Sequence, residues 1–312
     1  MKALQYSEYG PSSVLHVADV PEPQPSAGQI RVAVRAVGVN PFDWKVRSGA
    51  FGDTTPSRLP VIPHSDVAGV VDAIGAGVTD VAVGDRVFGV AVGGGAAEHA
   101  VLRAWARMPV DMEFPEAAGL PNVVETAGRA LGLLGLEKGQ TLVVNGASGG
   151  VGIAAVQLGV SRGATVIGTA SERNHDFLRQ LGAIPVTYGA GLADRVRALS
   201  ETSADGAEGV GRSGVDVALD TAGQGAVAEL VTLTPTPADV VSIADFEAAK
   251  LGARVTDGSE GRAYETLQEA AILYSEGQFT MPVERTFPLS EAAAAHDLSE
   301  SGHVRGKVII TL

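Results

Sequence analysis

The sequence predicts a two-domain α/β chain: a β-rich, barrel-like domain and a second domain whose strands and helices alternate on a parallel sheet. Three observations carry that expectation. The first hundred or so residues repeat with a period of two and are punctuated by Gly and Pro. From Thr141 onward, short apolar strands alternate with helical patterns. The length, 312 residues, suits about two domains.

In residues 28–37, Ile30, Val32 and Val34 interleave with Arg31 and Arg35, a period that buries one face of a strand. Similar runs lie at residues 3–6, 14–20, 67–74, 85–90 and 98–102, separated by turn chemistry such as Pro21-Glu22-Pro23 and Gly93-Gly94-Gly95. Many short strands so punctuated predict a barrel or sandwich. Near Pro115 the period changes, and residues 116–134 read as a helix. Strands follow at 141–145, 165–169, 184–188, 215–221, 239–243 and 253–256, with helices at 150–162, 173–181, 192–201 and 226–233. Such alternation predicts a parallel sheet covered on both faces. The acidic, Gly-rich stretch 202–214 reads as a surface loop. Beyond Gly258 come a helix at 262–276, a strand at 283–287, a helix at 290–299 and a last strand at 307–311. The expected domains are therefore 1–115 with 259–312, and 116–258.

Composition removes several function classes. Hydrophobic residues make up 45% and charged residues 19%, which argues against a disordered chain. Lys+Arg 23 against Asp+Glu 36 gives a net charge of −13, and with no basic run the chain is a poor partner for nucleic acid. The absence of cysteine excludes disulfides, thiolate metal sites and a cysteine nucleophile. The start carries no apolar signal region, and the most apolar stretch, 141–161, is too interrupted to span a bilayer. These features predict a soluble, cytoplasmic protein acting on a small molecule, with no membrane or nucleic-acid partner.

The chemistry begins at the turn after strand 141–145. Gly146, Ala147, Ser148, Gly149, Gly150, Val151 and Gly152 lead into a helix with Ile153, Val156 and Val160 on one face. Read as A-x-G-x-x-G, Ala147, Gly149 and Gly152 occupy the dinucleotide-fingerprint positions: Gly149 admits a pyrophosphate to the backbone, and Gly152 lets the helix press on the strand. A tight βα connection is the plainer reading of such a turn, but its strand, its helix and the further βα elements favour a cofactor. An NAD site places an acidic residue at the tip of the second strand to hold the ribose diol. Ala170 stands there instead, followed by Ser171, Glu172 and Arg173. Ser171 and Arg173 suit a 2′-phosphate, and Glu172 as the ribose acid is the competing reading. The first favours NADPH.

The chain carries VGVNPFDWKVRSG (37–49), PHSDVAGVV (63–71), GDRVFG (84–89), NGASGGVG (145–152) and GKV (306–308). With these motifs the whole pattern resembles the medium-chain dehydrogenase/reductase superfamily, and within it the zinc-free quinone oxidoreductase branch, the relatives of zeta-crystallin. The resemblance implies a GroES-like β-barrel domain and a Rossmann domain with a doubly wound parallel sheet. It also implies a homodimer joined through the edge strand 253–256. Zinc alcohol dehydrogenases carry Cys where this chain has Asn40 and His where it has Ser65, with Asp66 at their glutamate. Ser65 is no useful zinc ligand, and His64 with Asp66 does not close a site, so no metal is expected.

A hydride site without a Lewis acid suits quinones and conjugated enones, which spread the incoming charge over a longer π-system. By resemblance, Asn40 touches the nicotinamide ribose or the substrate, and Asp43 of the N-x-x-D pattern organises that end of the site; capping Asn40-Pro41-Phe42-Asp43 is the alternative role. Lys45 and Phe51 stand where some quinone oxidoreductases carry tyrosines. Lys45 is read as a proton donor or anion binder, or else as a solvated lysine. Phe51 is read as an apolar wall, or else as core. His64 replaces a residue usually Gly, and is read as a proton donor or as a structural histidine bonded to backbone. Tyr188 is placed beside the 2′-phosphate, with Ala222 and Ile243 on the nicotinamide side. A basic residue that some relatives place near the carboxyl terminus is off its usual position, with Arg305 or Lys307 as stand-ins. The other histidines receive no role. The leading expectation is an NADPH-dependent reductase of quinones or α,β-unsaturated carbonyls. The alternatives are an enoyl-thioester or polyketide-tailoring reductase and a non-catalytic NADPH-binding protein.

Overall fold

The computed structural model describes residues 1–52, 59–202, 214–302 and 304–312. Most of the stretch expected as an acidic surface loop, 203–213, lies outside the described residues. The chain divides into two compact units, Met1–Asn122 with Tyr264–Leu312, and Val123–Ala263.

The first unit opens with β1 (Lys2–Gln5) and β2 (His16–Asp19), an antiparallel pair. β3 (Ile30–Val39) leads into α1 (Pro41–Ser48), followed by β4 (Asp66–Ile74), β5 (Arg86–Val92), β6 (His99–Arg107) and α2 (Phe114–Ala118). α1 has no counterpart in the period-two reading of this region. Asn40 sits before it in extended conformation, Pro41 supplies the fixed φ of a first helical residue, and Gly49 ends it at φ 79°. The Asp43 carboxylate reaches back to the Asn40 N–H at 2.7 Å, so capping is part of what Asp43 does. The expected helix 116–134 is two helices, because α2 ends at Gly119 and α3 (Pro121–Leu134) begins on a proline that cannot continue its predecessor. α2 packs on the first unit, where Gly38 passes so close that a Cβ there would lie 2.4 Å from the Ala118 carbonyl oxygen. This is why the first division falls after Asn122 and not near Pro115.

In the second unit the elements alternate: β7 (Thr141–Asn145), α4 (Gly150–Ser161), β8 (Thr165–Thr169), α5 (His175–Gln180), β9 (Ile184–Val186), α6 (Leu192–Thr202), β10 (Val217–Asp220), α7 (Val227–Leu230), β11 (Val240–Ser242) and β12 (Arg254–Val255). All pairs are parallel and the order is β9-β8-β7-β10-β11-β12, the doubly wound Rossmann order. Order reverses between β7 and β10, which opens a crevice at their carboxyl ends. Val143, Ile167, Ala218 and Val240 are fully buried in one core cluster, each large aliphatic side chain contributing about 1.5–3 kcal/mol.

The chain then returns to the first unit through α8 (Glu265–Ser275), β13 (Val283–Pro288), α9 (Ala292–Glu300) and β14 (Lys307–Thr311). The six-stranded sheet runs β13-β14-β3-β4-β5-β6, and an added β3–β6 pairing closes it on itself as a barrel. β14 lies antiparallel to β3, with Val308 opposite Val39. That register brings the start of β14 to the end of β3, beside Asn40. Among the described residues, no helix is long and apolar enough to cross a membrane.

Candidate functional site

At the end of β7 the chain turns on Gly146, whose φ of 82° and closeness to Thr221 and Ala222 leave no room for a side chain. Gly149 precedes α4 in extended conformation. The first helical N–H to bond back is that of Ile153, to the Gly149 carbonyl at 2.8 Å. The N–H groups of Gly150, Val151 and Gly152 therefore have no intrahelical acceptor and carry the positive end of the helix dipole. A Cβ on Gly152 would lie 2.2 Å from the Gly146 oxygen, so the close helix approach requires glycine there. A Cβ on Gly149 would meet only that same oxygen, at 3.5 Å, and otherwise open space. Together with half-buried Ser148 and buried Ala147, these residues form a cradle that fits a pyrophosphate.

The tip of β8 carries no carboxylate. Ala170 is buried, and Ser171 opens a single 3-10 turn, Glu172–Asn174, that precedes α5. Arg173 is exposed and forms no ion pair among the described residues, and Glu172 is exposed beside it. Tyr188 follows the end of β9 and is 56% exposed. At the tips of β7, β10 and β11, Asp220 is the organiser. It accepts from the Asn145 amide (2.8 Å), the Ser242 hydroxyl (2.7 Å) and the Ala222 and Gly223 N–H groups. The Ile243 N–H is likewise bound, to the Asp220 backbone oxygen. What Ala222 and Ile243 offer a ligand is thus their carbonyls.

The barrel unit holds a buried polar cluster around Asn40. The Asn40 Nδ2 donates to Asp66 Oδ2 at 3.0 Å, and Lys307 Nζ donates to Asn40 Oδ1 and lies 3.5 Å from Asp66 Oδ2. The backbone N–H of Asn122 donates to the other Asp66 oxygen at 3.0 Å. Burial pushes the Asp66 carboxyl above its ordinary range, against the opposing pull of the Lys307 ammonium and the Asn40 amide. Only donors converge on Asp66, an arrangement that suits the ionised carboxylate. Lysine only donates, so the Asn40 amide orientation is fixed, with one Nδ2–H left over.

Asp43 is also buried. Burial pushes its carboxyl up, but His64 and the Asn40 N–H outweigh this and hold it below the usual range. His64 Nδ1 lies 3.1 Å from Asp43 Oδ2, and its Nε2 lies 3.2 Å from Nε2 of His296. The His64 side chain is 0% exposed, and its partners are the side chains of Asp43 and His296, where the structural reading expected backbone. Its φ of 67° is one that costs a non-glycine residue about 1–2 kcal/mol. His296, given no role from sequence, is its partner from 232 positions away, and no local pattern could signal such a pair. Lys45 is half-buried, its ammonium 5.6 Å from the Trp44 ring centre. Phe51 is half-buried and lies 5.5 Å, centre to centre, from Phe42, which is 56% exposed.

A Rossmann sheet with a glycine cradle, paired with a closed barrel, defines a nicotinamide-dependent dehydrogenase or reductase. Residues 26–112 match the alcohol dehydrogenase GroES-like domain family, and residues 193–310 match the zinc-binding dehydrogenase family. A chloroplast envelope quinone oxidoreductase homolog of Arabidopsis thaliana is 32% identical, covering 99% of this chain and 98% of the relative. The structure of a quinone oxidoreductase from Coxiella burnetii superposes with a TM-score of 0.83 at 31% identity, covering 100% of this chain and 99% of that one. A mycobacterial structure complexed with NADPH gives 0.80 at 26% identity, over 100% of both chains. The chain belongs to the medium-chain dehydrogenase/reductase superfamily, in its quinone oxidoreductase branch, and is an oxidoreductase.

The second family's description implies zinc, and the residues at hand do not fit it. Asn40 and Ser65 offer an amide and a hydroxyl, and Asp66 is already engaged by Asn40, Asn122 and the Lys307 ammonium. A metal ion at Asp66 would have to displace that resident cation.

Proposed function

We propose that this protein is an NADPH-dependent reductase passing hydride to a quinone or an α,β-unsaturated carbonyl compound without a metal ion. The observation that carries this reading is Lys307, an internal cation seated on Asn40 and Asp66. The Lys307 bond into Oδ1 polarises the Asn40 amide and strengthens its remaining N–H as a donor. One polarised donor suits an acceptor whose developing charge is spread over a conjugated system.

A bound dihydronicotinamide supplies the hydride. The N–H groups of Gly150, Val151 and Gly152 hold its pyrophosphate, with Ala147, Ser148 and Gly149 shaping the turn around it. Ser171, Arg173 and Tyr188 take the 2′-phosphate, and the carbonyls of Ala222 and Ile243 accept from the carboxamide. Asn40 orients the nicotinamide end, and Asp43 fixes Asn40 through its backbone. Lys45 supplies a proton or binds an anionic group, and Phe51 with Phe42 forms an apolar wall. β12 lies at the edge of its sheet, where a second copy extends it into a homodimer.

Arg173→Ala is expected to weaken NADPH binding about 10- to 150-fold, the worth of one charge-assisted hydrogen bond, and to leave NADH binding nearly unchanged. Cofactor-fluorescence titration reads both; equal affinities in the parent protein contradict the NADPH assignment. The acceptor class is tested by steady-state NADPH oxidation with a panel of quinones, 2-alkenals and enoyl thioesters. Turnover of the first two groups is expected. Preference for enoyl thioesters replaces the proposal with the tailoring-reductase reading, and tight NADPH binding with no turnover replaces it with the binding-protein reading.

A further inference from the structure

A line of side chains, buried except for Glu300 at its outer end, runs through the barrel unit from α9 to α1. Glu300, 46% exposed, accepts from Arg47 Nη2 at 3.2 Å, and the Arg47 side chain is fully buried. Arg47 Nε donates to His296 Nδ1 at 3.3 Å. His296 Nε2 faces His64 Nε2 at 3.2 Å, and His64 Nδ1 faces the Asp43 carboxylate at 3.1 Å.

Donor chemistry gives this line one direction. Arginine only donates, so His296 Nδ1 is an acceptor and the His296 proton sits on Nε2. That proton points at His64 Nε2, which must accept, and the His64 proton therefore sits on Nδ1 and is donated to Asp43. Each of the three gaps then holds one proton. An added proton on either ring sets two N–H groups face to face, at Arg47–His296 or at His296–His64, where neither gap has a spare acceptor.

The backbone at His64 supports a purposeful pair. A φ of 67° suits glycine, yet an imidazole is kept there with both of its nitrogens engaged. The charged and titratable groups around the pair are Asp43 and Arg47 from α1, Glu300 from α9, Tyr6 just after β1 and Asp66 from β4. Burial is the main cause that pushes His296 down to about 3, with the Arg47 guanidinium acting in the same sense and the Asp43 carboxylate opposing, in line with a neutral ring.

We propose that His64 and His296 are positioning residues: a tautomer-locked neutral pair that aims Asp43 at the Asn40 N–H and comes apart on acidification. The functional half rests on the reductase reading above; the tautomers do not. Because the folded value for His296 lies below the unfolded one, near 6.5, the folded state binds fewer protons between these limits. The stability it contributes is whole above about pH 6.5 and is lost as pH falls toward 3.

Histidine-selective 15N NMR of the full chain, assigned with His64→Asn and His296→Gln, tests the pair without any turnover. At pH 7 the expected signals are a neutral Nδ1–H ring for His64 and a neutral Nε2–H ring for His296. A charged ring, or an Nε2–H form of His64, overturns the proposal even if the protein reduces quinones. For the positioning role, His296→Leu is expected to lower kcat about tenfold with little change in cofactor KM. His296→Gln, whose amide accepts from Arg47 and donates to His64 in the same sense, recovers at least half of that loss. It also flattens the fall of the urea midpoint between pH 6.5 and 4. Equal kcat losses in both variants, or an unchanged pH slope in His296→Gln, contradict the role assigned.

Discussion

Gly149→Val is expected to abolish dinucleotide binding while leaving the fold in place. The backbone at Gly149 has a φ of −84°, which any L-residue adopts, and a Cβ there meets nothing closer than the Gly146 oxygen at 3.5 Å. The cost to folding is limited to the poorer capping of α4 by valine, on the order of 1 kcal/mol or less. The same side chain fills the space over the free N–H groups of Gly150 and Val151. Losing two charge-assisted contacts to a pyrophosphate costs about 3–6 kcal/mol, at least a hundredfold in Kd. Gly152→Val behaves differently: its Cβ lies 2.2 Å from the Gly146 oxygen and 2.7 Å from Ala147 Cα, so the helix must move and the fold itself weakens. Titration with NADPH alongside thermal melting separates the two variants. A Gly149→Val protein that binds NADPH within threefold of the parent removes the cofactor from this turn.

Lys307→Met is expected to destabilise the protein by about 3–5 kcal/mol, the usual cost of breaking a buried ion pair on one side. It strips the ammonium from Asp66, which is 0% exposed, and leaves the Asn40 carbonyl oxygen without its donor. With a typical domain stability of 5–15 kcal/mol, such a loss brings the barrel unit close to unfolding at ambient temperature. Adding Asp66→Asn to Lys307→Met removes the stranded charge and is expected to recover much of the stability, because replacing both partners is far cheaper than removing one. Urea unfolding of the two variants reads this directly. A loss below about 1 kcal/mol in Lys307→Met contradicts the view of Lys307 as the cluster's cation.

Local features were the legible ones. β7, β8 and β14 begin and end where their apolar runs do, and the turn at Gly146–Gly152 announces itself because all its groups are adjacent in sequence. The apolar runs overshoot the strands at Tyr188 and Val215, since β-propensity extends beyond the ladder, which ends at Val186 in β9 and begins at Val217 in β10. α1 was hidden by its alternation with the strands around it; only its cap, Asn40-Pro41-Phe42-Asp43, left a signature. The barrel cluster was the least visible. Asn40 meets Lys307 across 267 positions, and His64 meets His296 across 232. Those meetings follow from the register of β14 on β3 and from the packing of α9, which no window of sequence contains. Resemblance brought Asn40, Asp43 and His64 to notice, but it could not say that His64 lies inside or that a lysine stands over Asp66.

In the proposed reaction a bound reduced nicotinamide dinucleotide passes hydride to a conjugated acceptor with no metal ion. It is tested most directly by a single-turnover experiment. Protein stripped by prolonged chelation is loaded with NADPH and mixed with a quinone, and absorbance of the dihydronicotinamide is followed. Full loss of that absorbance is expected, at a rate unchanged by chelator or by added zinc. Retention of the absorbance after stripping, with recovery only when zinc is restored, would contradict it.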